Sequence, residues 1–98
     1  MYIKIHETYR QVVALCDADL IGKKFEDDIR QLEIREHFFK GEEISKEQAL
    51  KRLIELQKND ATFNIVGNKS IKVALEAGII TKENIAKIQN IPFALKLV

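Results

Sequence analysis

The clearest structural pattern in the chain lies in the stretch FNIVGNKSIKVALEAGII, residues 63–80. At its start, the apolar residues Phe63 and Ile65 alternate with the polar residues Thr62 and Asn64, and this pattern predicts a short strand over residues 62–66. Gly67-Asn68 predicts a turn, and Asn68 or Ser70 is expected to cap the helix that follows. Gly78 is expected to end that helix, because glycine is the residue that most often closes one. The inward side of the helix is predicted to carry Ile71, Ala74 and Leu75.

The order of residues 67–70, Gly-Asn-Lys-Ser, resembles the end of a nucleotide-binding loop. In that loop, GxxxxGK[ST], the first glycine would fall on Thr62 and the lysine on Asn68, so both required residues are missing. A nucleoside triphosphate is therefore not expected to bind. The free amides of a helix N-terminus, aided by Lys69 and Lys72, would still attract a phosphate group. The alternative is a helix that glycine initiates and whose lysines simply face solvent.

The first sixteen residues predict a β-hairpin, because an alternating apolar and polar run is followed by a second, β-branched apolar run. A two-residue loop would lack the usual Asn-Gly chemistry. A three-residue loop at residues 8–10 brings four large apolar side chains onto one face, so we expect this loop. The resulting pairs are Ile3 with Leu15 and Ile5 with Val13.

The remaining elements follow from local signals along the chain. They are a helical turn over residues 17–22, a third strand over 29–35 with Leu32 and Ile34 inward, a segment over 37–41 that leads into a loop, a helix from the capping box Ser45–Gln48 to 59–60, a short helix capped by Thr81 with Ile85 and Ile88 on its apolar side, a turn at 90–92 and a last strand from Phe93.

The element order is therefore β-β-β-α-β-α-α-β, in a single domain that spans residues 1–98. This order predicts an α+β fold, a small α/β sandwich. In it, about three helices pack on a mixed sheet of about five strands that begins with the hairpin.

The charged residues are distributed unevenly along the chain. The formal net charge is only +1. Residues 1–49 carry 8 basic and 11 acidic side chains, a net of −3, whereas residues 50–98 carry 8 basic and 4 acidic, a net of +4. A basic C-terminal half favours a polyanionic partner, although solvated helix faces would give the same pattern. The single cysteine fits a cytoplasmic protein, and no apolar run is long enough to predict a membrane partner.

Catalytic and metal sites are not expected from the sequence. The predicted hairpin places Cys16 and His6 about 13 Å apart along the strands, too far for a nucleophile and its base. His6, His37 and Cys16 have no ligand-like spacing, so neither a metal nor a cofactor is predicted. The acidic residues 17–19 lack the later ligands of a calcium loop, and residues 26–28 are typical of a solvated turn. We therefore expect a protein that is not an enzyme.

Phe38 and Phe39 form a small aromatic cluster that leads into a predicted loop. Such a pair is usually the edge of a core. If it is exposed, it is the best candidate in the sequence for a contact with another protein.

Four stretches together resemble an archaeal family known only as domain of unknown function 424. They are KIHET at residues 4–8, CDADLIGKKF at 16–25, NIVGNKSIKVALEAGII at 64–80 and IPFA at 91–94. The resemblance implies a small archaeal cytosolic protein with no assigned activity. Members of the family often carry a glycine pair where this chain has Tyr9-Arg10, and a histidine where it has Phe93. The second departure weakens any proposal of a catalytic or metal-binding histidine at the late turn.

The predicted function is a non-enzymatic binding module that contacts RNA or a ribonucleoprotein, linked to translation, through the basic half of the chain. One alternative is a protein-interaction or assembly subunit that uses Phe38 and Phe39 or an unpaired sheet edge, either with itself or with another protein. A further alternative is an enzyme that acts on a small anionic ligand at the Gly67 turn. The predicted anion- or RNA-binding residues are Gly67, Asn68, Lys69, Ser70, Lys72, Lys82 and Lys87.

Overall fold

A computed structural model describes residues 1–97, which form eight strands, three α-helices and two 3₁₀ turns. The strands are β1 Tyr2–His6, β2 Val12–Cys16, β3 Lys24–Glu26, β4 Gln31–Glu33, β5 Glu42–Glu43, β6 Thr62–Val66, β7 Ile85–Ile88 and β8 Ile91–Lys96. The α-helices are α1 Glu36–Phe39, α2 Lys46–Gln57 and α3 Asn68–Glu76, and the 3₁₀ turns are Ala18–Leu20 and Lys82–Asn84.

Six of these strands form one mixed sheet in the order β5-β1-β2-β6-β8-β7, and β3 pairs with β4 in a separate small sheet. The β1–β2 hairpin has the predicted register, with Ile3 opposite Leu15 and Ile5 opposite Val13. In the centre of the sheet, β2 runs parallel to β6 and sets Cys16 opposite Val66. The carboxyl ends of these two strands therefore lie side by side, which brings the segments that follow them together.

The two faces of the six-stranded sheet are covered differently. Helices α2 and α3 pack on one face, where Leu15, Phe63 and Ile65 meet Leu53 and Ala74 in the larger core. The small β3–β4 sheet and helix α1 cover part of the opposite face over a smaller core. That smaller core contains Ala14, Cys16, Leu20, Ile34, Phe39 and Val66. The predicted α+β class, with helices on a mixed sheet, is confirmed.

The ends of the two long helices are formed as their sequences predict. The Ser45 hydroxyl accepts from the amide of Gln48, and the Gln48 side chain accepts from the amide of Ser45, so the capping box is complete. Gly78 has a φ of +75°, and the amides of Gly78 and Ile79 donate to the carbonyls of Leu75 and Ala74. This is the double hydrogen bond of a Schellman closure.

Three local predictions were wrong. Residues 37–41 were expected only to lead into a loop, but 37–39 belong to helix α1, because burial of Phe39 draws the chain into a turn closed on the Arg35 carbonyl. The third strand is shorter than predicted and pairs with β3, which the sequence did not reveal. The predicted helix after Thr81 is only a 3₁₀ turn followed by strand β7, because Gln89 and Asn90 adopt positive φ values and reverse the chain tightly into β8.

Candidate anion-binding site at helix α3

The passage from strand β6 into helix α3 requires a glycine. Gly67 has φ +108° and ψ 156°, a backbone conformation that residues with a Cβ rarely adopt. Its amide donates to the carbonyl of Pro92 at 2.9 Å. A Cβ at this position would lie 2.4–2.7 Å from the carboxyl atoms of Asp17. Gly67 therefore allows a carboxylate to approach the helix N-terminus directly.

The side chain of Asp17 caps helix α3. One carboxylate oxygen accepts from the Ser70 amide and the Ser70 hydroxyl, each at 2.8 Å, and the other accepts from the Lys69 amide at 3.1 Å. The Asp17 amide donates to the Val66 carbonyl at 3.1 Å, which continues the parallel pairing beyond the strand ends and holds the residue in place. Only 7% of Asp17 is exposed, and Ser70 is fully buried. A negative group does occupy this helix N-terminus, but it belongs to the chain itself.

This arrangement corrects the predicted cap. The N-cap residue is Gly67, and the capping side chain comes from Asp17 rather than from Asn68 or Ser70. Gly67 and Ser70 are buried and have their polar groups engaged inside the molecule, whereas Asn68 is exposed. The sequence alone shows Asp17 only as part of an acidic turn, since nothing local links it to helix α3, which begins at Asn68.

Lys69 and Lys72 lie together at a cleft between helices α2 and α3. The cleft has a volume of about 370 Å³, and Lys46 lines it from the first turn of α2. Met1, Ile44 and Val73 form its apolar lining. We call the three lysines and the space between them the lysine cleft. Lys46 was not among the predicted residues, although its place directly after the Ser45 cap is a sequence signal for the start of a helix.

The lysine cleft carries more positive than negative side chains. Lys46 is the first residue of α2, so the positive dipole end of that helix borders the cleft, whereas the N-terminus of α3 is already capped by the Asp17 carboxylate. Lys69 and Lys72 are three residues apart on α3, a spacing at which like charges repel. One acidic group balances them in part, because Lys46 Nζ lies 3.3 Å from Glu76 Oε1.

The other two predicted lysines lie elsewhere. Lys82 is in the second 3₁₀ turn and Lys87 is in β7, at the edge of the sheet, and both are exposed. Neither lines the lysine cleft. The structure therefore joins Lys69 and Lys72 to the unpredicted Lys46, and leaves Lys82 and Lys87 as separate surface charges.

Phe38 and Phe39 pack against the molecule itself. Phe39 is buried in the smaller core, and Phe38 is half-buried and stacks on His6 with the ring centres 4.6 Å apart. His6 Nε2 is 2.9 Å from the Phe38 carbonyl oxygen. His6 ends β1 opposite Val12, four residues along the strands from the Gly67 end, or about 13 Å. The His6 ring is thus not within reach of the Gly67 turn.

Cys16 is fully buried beside this cap, directly before Asp17. Burial raises the pKa of its thiol to about 12, with a further contribution from the negative charge of Asp17. A thiol of this kind is not an effective nucleophile at neutral pH.

Within residues 1–97, no group of three or more His, Cys, Asp or Glu side chains is placed to hold a metal ion. In the same part of the chain, no helix combines the length and apolar composition that crossing a membrane would require.

Comparison with known proteins identifies the family. The chain matches a crystal structure of an uncharacterized conserved protein from Methanopyrus kandleri with a TM-score of 0.84 and 28% sequence identity, over 96% of this chain and 87% of that one. No protein with a curated description matches the chain. The model of the family described as "Protein of unknown function (DUF424)" matches residues 5–97. The chain therefore belongs to the family of domain of unknown function 424, as the four sequence motifs indicated.

Proposed function

We propose that this protein is a non-enzymatic RNA-binding module that holds phosphate groups of an RNA strand in the lysine cleft. The observation that carries the proposal is the convergence of Lys46, Lys69 and Lys72 on one concave surface. RNA within a ribonucleoprotein, such as one that serves translation, presents the same phosphates.

The charges at the cleft support this choice of ligand. Three ammonium groups line the cleft, and Lys46 is paired with Glu76, whereas Lys69 and Lys72 have no ion-pair partner within residues 1–97. The free protein therefore holds two unpaired ammonium groups close enough to repel each other. A chain of phosphates would relieve this repulsion, and the released counterions would add to the affinity. Lysines make contacts of this kind without reading the base sequence.

Lys82 and Lys87 extend the proposal beyond the cleft. Both are exposed, and neither has an ion-pair partner within the described residues 1–97. A strand that passes over the cleft and across the molecule would meet them as secondary contacts. Their expected contribution is smaller than that of the cleft, because isolated exposed charges are well screened by salt.

The test is a titration of fluorescently labelled single-stranded RNA, followed by anisotropy at several salt concentrations. The double variant K69E/K72E is expected to lose at least about tenfold in affinity, because two phosphate contacts become repulsive. The slope of log K against log salt should fall by about 1.4, or about 0.7 for each lost contact.

The matched control is K51E/K58E, which makes the same change of charge at Lys51 in α2 and at Lys58, the C-cap of α2, both exposed and outside the cleft. Its affinity should stay within about threefold of the parent protein. An equal loss in both double variants, or RNA binding that does not respond to salt, would contradict the proposal.

A second candidate function, assembly with another copy of the chain, is favoured by one observation. Leu95 and Leu97 are 51% and 66% exposed, and Leu95 lines a groove of about 380 Å³ with Leu32, Phe38 and Phe93. Light scattering after size exclusion distinguishes this candidate. A stable dimer that Leu95→Glu converts to a monomer would support it, and a monomer at all concentrations would count against it.

A further inference from the structure

We propose that Glu76 is an internal competitor for the RNA phosphate: its carboxylate pairs with Lys46 in the free protein and gives that lysine up when RNA enters the lysine cleft. This inference rests on the proposed function. It adds a regulatory element to the same site, namely a carboxylate of the chain that lowers the affinity for RNA.

The position of Glu76 supports this role. Residues 69, 72, 73 and 76 follow one another at helical spacing, so Glu76 continues the side of α3 that carries Lys69 and Lys72. From there its carboxylate reaches Lys46 across the cleft, at 3.3 Å. The Glu76 carboxylate is thus already paired with Lys46, one of the three ammonium groups that the RNA phosphate would contact.

The pair is able to exchange because it lies in water. The Lys46 side chain is 51% exposed and that of Glu76 is 38% exposed. Exposed pairs of this kind contribute little to stability, and an incoming anion displaces them readily. The buried Asp17 carboxylate at the N-terminus of the same helix differs, because its three hydrogen bonds are shielded from solvent.

Competition has a specific thermodynamic consequence. In the parent protein, RNA gains a contact to Lys46 but must break the Lys46–Glu76 pair, so the net gain is small. When Glu76 carries no charge, the same contact is gained without that loss. The contribution of Lys46 to RNA affinity should therefore depend on the residue at position 76.

The experiment compares four proteins: the parent, K46A, E76Q and K46A/E76Q. Each is titrated with a labelled oligouridylate of about ten nucleotides at low salt. We expect E76Q to bind about two- to fivefold more tightly than the parent. K46A should cost less than about twofold in the parent and about fivefold in E76Q. Glu55→Gln, the same change at an exposed carboxylate of α2 outside the cleft, should leave the affinity within about twofold.

The outcomes separate this inference from the proposed function. If K46A costs the same in both backgrounds, or if E55Q strengthens binding as much as E76Q, Glu76 is not a competitor. The proposed function would then still stand, provided that K69E/K72E loses affinity. If none of the four proteins binds RNA in a salt-dependent way, the proposed function fails and this inference fails with it. All of these side chains are exposed, and equal melting temperatures will confirm that the variants are folded.

Discussion

Two carboxylates lie at helix α3, that of Asp17 at its N-terminus and that of Glu76 in its last turn, and they are held very differently. Asp17 is 7% exposed and accepts three hydrogen bonds at the helix N-terminus. Glu76 is 38% exposed at its side chain and makes one ion pair with Lys46. Burial makes the first contact part of the fold, because breaking it would leave polar groups without partners. Exposure makes the second contact weak and replaceable.

The comparison shows how one short segment serves structure and carries a candidate site at the same time. The amides of Lys69 and Ser70 belong to the Asp17 cap. The side chains of Lys69 and Lys72 point instead to the lysine cleft. A helix N-terminus next to lysines is therefore not by itself a phosphate site, since the backbone groups can be occupied internally while the ammonium groups stay available.

The largest expected effect comes from removal of the buried carboxylate. Asp17→Ala leaves the Ser70 hydroxyl and two amides without acceptors in a buried place, so we expect a loss of about 3 kcal/mol or more in the free energy of unfolding. Asp17→Asn keeps the shape and one acceptor oxygen and should lose clearly less. Urea denaturation measures both. A loss below about 1 kcal/mol for Asp17→Ala would show that the cap resembles the exposed pair after all.

The next largest effect is the pH dependence of stability that Cys16 causes. It tests whether water is excluded from the end of the sheet where Asp17 lies. The thiol pKa is raised from 9.0 to about 12 in the folded protein. Stability is therefore unaffected below about pH 9, and it falls above this pH because only the unfolded chain then releases the proton. The free energy of unfolding should fall by about 1.4 kcal/mol per pH unit between pH 9 and pH 12, relative to Cys16→Ala.

Urea denaturation at pH 7, 9 and 10 is the appropriate measurement. Cys16→Ala is the reference, because all other ionisable groups are the same in both proteins and their effects cancel in the difference. Parallel pH profiles for the two proteins would mean that water reaches the thiol in the native state. The surroundings of Asp17 would then be wetter than its burial indicates.

Patterns that are local in sequence predicted the fold well. The hairpin register followed from placing the side chains of Ile3, Ile5, Val13 and Leu15 on one face, and the structure has those pairs. Gly78 closes α3 as expected, because glycine readily adopts a positive φ at a helix end. Strand β6, Thr62–Val66, has the predicted bounds.

Features that depend on distant residues were not predictable in the same way. Asp17 is 53 residues from Ser70, and the parallel pairing of β2 with β6 is what brings them together. Lys46 reaches the cleft only because α2 and α3 pack side by side. Strand β7 was missed for a different reason. Ile85 and Ile88 are three residues apart, a spacing that predicts one face of a helix, whereas in β7 they lie on opposite faces of a strand, Ile85 half-buried and Ile88 buried.

The smallest expected effect is the change in stability of the variant that the binding test uses. Lys69 and Lys72 are exposed, and K69E/K72E keeps a like-charged pair three residues apart on α3. The Asp17 carboxylate already lies at the N-terminus of α3, so a glutamate at position 69 gains nothing from the helix dipole. K69E/K72E should therefore lose no more than about 0.5 kcal/mol of stability relative to the parent. The control K51E/K58E should be slightly destabilised, because Lys58 is the C-cap of α2, where a positive charge is favourable. Urea denaturation compares the two variants. A loss of more than about 1 kcal/mol in the free energy of unfolding of K69E/K72E would mean that these lysines, like Asp17, stabilise the fold and are not free to bind a ligand.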